Sequence, residues 1–145
     1  MYKKIVVPTD GSDVSMKALK HAIFIAKNLD SKIYGVYVVD VSPFIGLPME
    51  GSWELITKVL EEEGEEILNK VKEMCEKEGV DVEVKMLEGI PPEEIVKFAE
   101  EKEADLIVMG TTGKTGLERI LLGSVAERVI KNAPCPVLVV KRQSP

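Results

Sequence analysis

Apolar residues in this chain fall into two kinds of run, and their alternation predicts the architecture. Ile5-Val6-Val7, Leu106 to Met109 and Pro136 to Val140 are continuous and short, as expected of parallel strands covered on both faces. Residues 32–40, Lys-Ile-Tyr-Gly-Val-Tyr-Val-Val-Asp, are β-branched and aromatic and predict a further strand. Residues 80–87 instead alternate, with Val82, Val84 and Met86 set against Asp81, Glu83 and Lys85. That pattern predicts a strand with one wet side, at a sheet edge.

Between these runs the spacing is helical. Met16, Leu19, Ala22, Ile23 and Ala26 form one apolar stripe. Leu55, Ile56, Val59, Leu60, Ile67, Leu68, Val71, Met74 and Cys75 form another, along a charged helix predicted over residues 52–78, which Gly64 is expected to bend and Gly79 to end. Ile95, Val96, Phe98 and Ala99 mark a third helix, opened by Pro91-Pro92 and the acids Glu93 and Glu94. Residues 125–131 read as a fourth. Residues 41–51 carry two prolines and two glycines and read as a loop.

Strands separated by helices require right-handed crossovers, hence a mainly parallel sheet with helices on both faces. Two orders are common for five such strands, 3-2-1-4-5 and 2-1-3-4-5. The alternating third strand suits an edge, so the expected fold is an open five-stranded parallel α/β sheet in the order 3-2-1-4-5. Its connectivity reverses between strands 1 and 4, and ligands of such sheets bind outside the strand carboxyl ends at the reversal. Pro8-Thr9-Asp10 and residues 110–113 emerge there.

Composition narrows the function. The 145 residues are expected to form one domain burying roughly 70% of the unfolded chain's surface. A formal charge of −6 argues against a general nucleic-acid or anionic-membrane binder, which needs a concentrated basic face. The opening Met-Tyr-Lys-Lys is followed by only three apolar residues, too few for a signal-peptide core or a span, which points to the cytoplasm. Cys75 and Cys135 stand apart, with no Cys-x-x-Cys, and read as buried apolar side chains. The one histidine, His21, falls in the first helix away from the reversal, and the glutamate run 61–66 reads as a solvated face. Trp53 and Phe44 are either a lid or partner contact or, by default, packing at a helix start.

The most informative stretch is residues 110–124, Gly-Thr-Thr-Gly-Lys-Thr-Gly-Leu-Glu-Arg-Ile-Leu-Leu-Gly-Ser, which leaves a strand and enters a helix. Glycines let main chain approach an anion, and the first N–H groups of a helix have no internal partner. This is not a P-loop, whose first glycine would fall at Val108 inside the strand, and the first turn lacks the Rossmann Gly-x-Gly-x-x-Gly. It reads Gly110-x-x-Gly113, nine residues, then Gly123-Ser124. Together with the opening Ile-Val-Val-Pro-Thr-Asp-Gly-Ser and the closing Pro-Cys-Pro-Val-Leu-Val-Val, it resembles the universal stress protein family, in its ATP-binding branch.

The resemblance implies a Rossmann-like fold of the adenine nucleotide alpha hydrolase type and an ATP site, with AMP or ADP as alternatives and Mg2+ or Mn2+ held mainly by the phosphates. It implies that Asp10 accepts from the adenine amino group, that Val38 meets the base through its backbone, and that Pro8 and Thr9 wall base and ribose. Gly110, with Met109 beside it, would admit the ribose; Gly113, Gly123, Ser124 and Val125 would donate to the phosphates. Lys114 would neutralise phosphate charge or point into water. A homodimer through Pro136 to Val140, an apolar edge strand in the expected order, is also implied. Simpler readings remain open: Ser124-Val-Ala-Glu127 fits a capping box, Asp10 a turn, and the glycines tight turns.

Efficient hydrolysis needs metal-held phosphates and a residue that positions water. The sequence offers no acidic strand end of the Walker B kind and no catalytic histidine, and Arg119 falls inside the variable loop. The expected function is therefore a nucleotide-dependent switch or sensor in stress response, with at most slow turnover, that shows a changed surface to an unidentified partner. The alternative is a partner-dependent ATPase or nucleotide-dependent transferase.

Overall fold

The computed structural model describes residues 1–46, 52–112 and 122–141. Five parallel strands form one sheet in the order β3-β2-β1-β4-β5, as the alternating third strand predicts. They are β1 (Lys4–Pro8), β2 (Lys32–Val39), β3 (Asp81–Glu88), β4 (Leu106–Gly110) and β5 (Val137–Val140). The helices are α1 (Asp13–Leu29), α2 (Trp53–Lys77), α3 (Pro91–Lys102) and α4 (Ser124–Asn132). The loop beginning at Val41 opens with a 3-10 turn over Ser42–Phe44.

Alternate strand residues feed two cores. Ile5, Val7, Leu106 and Val108 pack beneath α1 with Val71 and Cys75 of α2, while Val6, Val36, Ile107 and Met109 pack beneath α3 and α4. The central strands β1 and β4 are buried along almost their whole length, which is why their sequences lack alternation. The outward positions of β3 are exposed, as befits the edge. Burial pushes the Cys75 thiol up to about 11, with the neighbouring Glu76 carboxylate adding to it, so this cysteine is an inert core residue. Cys135 is only half-buried.

One expectation for α2 needs correction. Leu55 and Val59 belong to no core, being 63% and 54% exposed; the buried stripe begins at Gly64 and continues through Leu68, Val71 and Cys75. At Gly64 the helix is continuous, and the residue has a packing role beyond the expected bend. Its missing side chain makes room: a Cβ there would lie 2.5 and 2.8 Å from the Tyr37 ring and 2.9 Å from Met86 Cε. Gly79 plays the predicted terminating role, at φ +73° immediately after the cap residue Glu78.

Gly64→Ala tests that packing by the sign of its effect. In an exposed helix the change would stabilise by about 1 kcal/mol. Forcing a methyl into the buried Tyr37 ring costs about 1–3 kcal/mol, so the urea midpoint is expected to fall. A rise would show that the ring moves aside freely.

Candidate functional site

The strand ends at the reversal are held by the turn that follows β1. Thr9 donates its N–H to the Val36 carbonyl at 2.9 Å, and its hydroxyl turns inward, 3.0 Å from the Ser15 hydroxyl. The same hydroxyl accepts from the Gly11 N–H at 3.2 Å. Asp10 Oδ1 accepts from the Ser12 N–H at 3.0 Å, closing an Asx turn, and the Ser12 hydroxyl caps α1 by accepting from the Ser15 N–H at 3.3 Å. Pro8 and Thr9 are thus buried framework, while Asp10 is half-buried at the mouth. Burial raises the pKa of the Tyr37 phenol, and the Glu63 and Asp10 carboxylates add to it, which places Asp10 in the field of the β2 end.

Strand β2 outruns β1. Main-chain groups alternate sides along a strand, and Val36 turns toward β1, where its carbonyl accepts from Thr9, whereas the Val39 carbonyl accepts from Gly89 on the β3 side. Val38 therefore faces the β1 side at a level where β1 has already ended, its register partners stopping with Pro8 opposite Val36. Its side chain packs with Met109 and Val125 in the apolar cluster under α3 and α4.

The other wall comes from β4 and α4. Gly110 ends β4 opposite Val140, and a Cβ on it would lie 2.8 and 3.0 Å from the two Val14 methyls of α1. The residue is a glycine because strand and helix touch there. Beyond it, the Thr111 carbonyl accepts from the Gly123 N–H at 2.6 Å, tying the start of α4 to the end of β4.

The capping-box reading of Ser124 is corrected. The N-cap is Gly123, in extended conformation and with no side chain to cap the helix, and Ser124 is the first helical residue, exposed at its tip. A glycine cap supplies no side-chain acceptor to the first N–H groups, and the positive end of the helix dipole lies there. Beside it, the Thr112 hydroxyl is buried with no hydrogen-bond partner among the described residues. Sequence reasoning missed Thr112 and Val14. Thr112 is one of two adjacent threonines with nothing to distinguish them, and Val14 has the character of any apolar helix residue.

Asp10, Val38, Met109, Gly110, Gly123, Ser124 and Val125 are thus gathered at the carboxyl ends of β1, β2 and β4. Gly113, Lys114 and Arg119 lie outside the described residues. His21 is exposed on α1, and Trp53, 38% exposed at the start of α2, is not the core residue expected by default. No group of three or more metal-ligating side chains occurs among the described residues.

A parallel sheet in the order β3-β2-β1-β4-β5, with its strand reversal between β1 and β4, belongs to the Rossmann-like class, whose ligands bind at such a reversal. The model of the universal stress protein family matches residues 1–141, and the chain belongs to that family. It is 72% identical to Universal stress protein MJ0531 of Methanocaldococcus jannaschii, over 98% of this chain and 84% of that one. The solved structure of MJ0577, from the same organism, superposes with a TM-score of 0.87 at 39% identity, covering 100% of this chain and 99% of that one. The universal stress protein of Archaeoglobus fulgidus, solved in complex with dAMP, superposes with a TM-score of 0.70 at 31% identity, over 97% and 98% of the two chains. Among the described residues no helix is long and apolar enough to cross a membrane.

Proposed function

We propose that this chain, acting as one domain in the cytoplasm, binds ATP in the crevice at the ends of β1, β2 and β4 and serves as a nucleotide-dependent switch in stress response. The observation that carries the reading is the start of α4: a helix whose cap residue is a glycine, fastened to the end of β4, the strand next to the one that the Asp10 turn follows. The dAMP complex of the Archaeoglobus fulgidus relative supports an adenine nucleotide as the occupant.

In this reading Asp10 accepts from the adenine amino group and the Val38 main chain meets the base edge. Met109 and Val125 supply apolar contact, and Pro8 and Thr9 hold the wall in place from behind. Gly110 and Gly113 give the ribose and phosphates close access to the backbone. Lys114 neutralises phosphate charge, while Gly123, Ser124 and Val125 donate to phosphate oxygens. The orphaned Thr112 hydroxyl adds a donor that nucleotide oxygen satisfies. A Mg2+ or Mn2+ ion is held mainly by the phosphates. The switch works through unequal affinity of two protein states for ATP and AMP, since a ligand shifts an equilibrium only by its differential binding.

Asp10→Ala is expected to weaken ATP binding by about 10- to 100-fold, the worth of one hydrogen bond to a charged group. It should also narrow the preference for ATP over GTP, whose base places a carbonyl oxygen where adenine places its donor. Isothermal calorimetry reads both quantities. An unchanged ATP-to-GTP ratio would remove Asp10 from the base.

Strand β5 pairs with β4 on one side only, and Leu138 on it is 37% exposed. Antiparallel pairing of this edge with its copy in a second chain would satisfy its backbone and form a homodimer. Light scattering at micromolar concentration should return twice the chain mass, and Leu138→Lys should return one. A monomeric wild type would rule the pairing out.

A further inference from the structure

Far from the nucleotide crevice, a groove of about 410 Å3 lies between α1 and the C-terminal end of α2. Ile23 and Met74 line it, Phe24 walls it, and Lys20, Lys27 and Lys77 stand around it. Phe24 lies about 16 Å along α1 from the Asp13 end that abuts the crevice.

Single exposed apolar side chains are ordinary. Phe24 differs in its setting: it is 70% exposed, although the apolar residues of the α1 stripe around it are buried or half-buried. After Asp13, α1 carries no acid through Leu29, while it carries Lys17, Lys20, His21 and Lys27. The one carboxylate at the groove, Glu78, is already bound to Lys27 at 2.8 Å. Lys20 makes no ion pair among the described residues. In a chain of net charge −6 this face is a local inversion of sign around an aromatic wall.

We infer that this groove docks an acidic peptide segment of another protein, which inserts one large apolar side chain beside Phe24 and sets its carboxylates over Lys20 and Lys77. The apolar anchor supplies the buried contact and the lysines supply steering and register. On the chain itself, the exposed Leu55 and Val59 with the glutamates that follow them on α2 form an apolar and acidic surface of this kind. Docking of that surface from a second copy would bring two chains of net charge −6 together, so a different protein is the favoured occupant.

The test uses fluorescence anisotropy with labelled synthetic peptides and the full chain. One peptide carries acidic residues around a central Leu-Phe pair. A second replaces that pair by serines, a third replaces the acids by lysines, and a fourth copies residues 54–66 of this chain. The first is expected to bind at least about tenfold more tightly than the serine and lysine controls, and progressively less as salt is raised. Phe24→Ser and the double change Lys20→Glu with Lys77→Glu should each lower that affinity about tenfold or more. Both variants should keep ATP affinity and melting temperature, which separates failure here from failure of the nucleotide reading. No binding, equal binding of the serine control, or binding indifferent to Phe24→Ser would overturn the assignment. So would tightest binding of the fourth peptide, with growth of wild-type particles on concentration that Phe24→Ser abolishes, because the occupant would then be a second copy.

Discussion

Gly123→Val is expected to lower ATP affinity by at least about a hundredfold while leaving a folded protein. The backbone conformation at Gly123 is open to any residue, at φ −73° and ψ 166°, so no left-handed geometry is violated. A Cβ there would lie 3.1 Å from the Thr111 carbonyl oxygen, a tight contact that a small shift relieves. The larger effect falls on the ligand. Branched methyls at the N-cap stand over the first N–H groups of α4, where phosphate oxygens must come within about 3 Å. Losing two hydrogen bonds to a charged group removes roughly 3–6 kcal/mol, or about two to four decades of affinity. Calorimetry with ATP measures the loss, and a urea melt within about 1 kcal/mol of wild type shows that the fold survives. Retained affinity would place the phosphates elsewhere.

Gly110→Ala is expected to be the most damaging single-methyl change near the crevice. Its Cβ would meet both Val14 methyls at 2.8 and 3.0 Å and the Val14 main-chain carbon at 3.3 Å. Val14 is 3% exposed in the first turn of α1, so it has no solvent to retreat into. Either β4 or α1 must move, at a cost of about 1–3 kcal/mol and roughly 2–10 °C in melting temperature for a domain of this size. Because α1 begins at the Thr9, Ser12 and Ser15 hydrogen bonds that hold the Asp10 turn, ATP affinity should fall as well. Val14→Ala removes the two closest obstacles. In a double-mutant cycle the pair should therefore show a favourable coupling of about 1 kcal/mol or more. Additive effects would mean that the two residues do not share the contact.

These two glycines show how far the sequence could be read. The strand order followed from one pattern, the alternation of Val82, Val84 and Met86 with charged residues, which only an edge strand tolerates, and the observed order agrees. That order also puts the Asp10 turn and the residues after β4 at one end of the sheet, because a parallel sheet puts its strand ends on one side. What was illegible depended on contacts between distant segments. Nothing local in the α2 sequence says that Gly64 lies against Tyr37, so its expected effect was a bend rather than a close approach. Gly110 reads as an opening for ligand, and nothing local in the sequence says that Val14 lies against it as well. The Ser124-to-Glu127 spacing mimics a capping box one residue out of phase with the true cap, Gly123, because the helix start is set by the bond to Thr111. Leu55 and Val59 fit the helical stripe but lie beyond the edge of the sheet's cover, and periodicity alone does not say where a core ends.

In the proposed function, main-chain groups at the end of β2 and the start of α4 hold the two ends of one ATP molecule. An amide-resolved NMR titration of the 15N-labelled chain with ATP, with GTP as the control, measures this most directly. Saturable shifts are expected at Val38, Gly110, Ser124 and Val125 that follow a single binding curve, with Asp10 moving alongside them, and much weaker effects from GTP. Shifts confined to other parts of the chain, or separate curves for Val38 and Ser124, would contradict it.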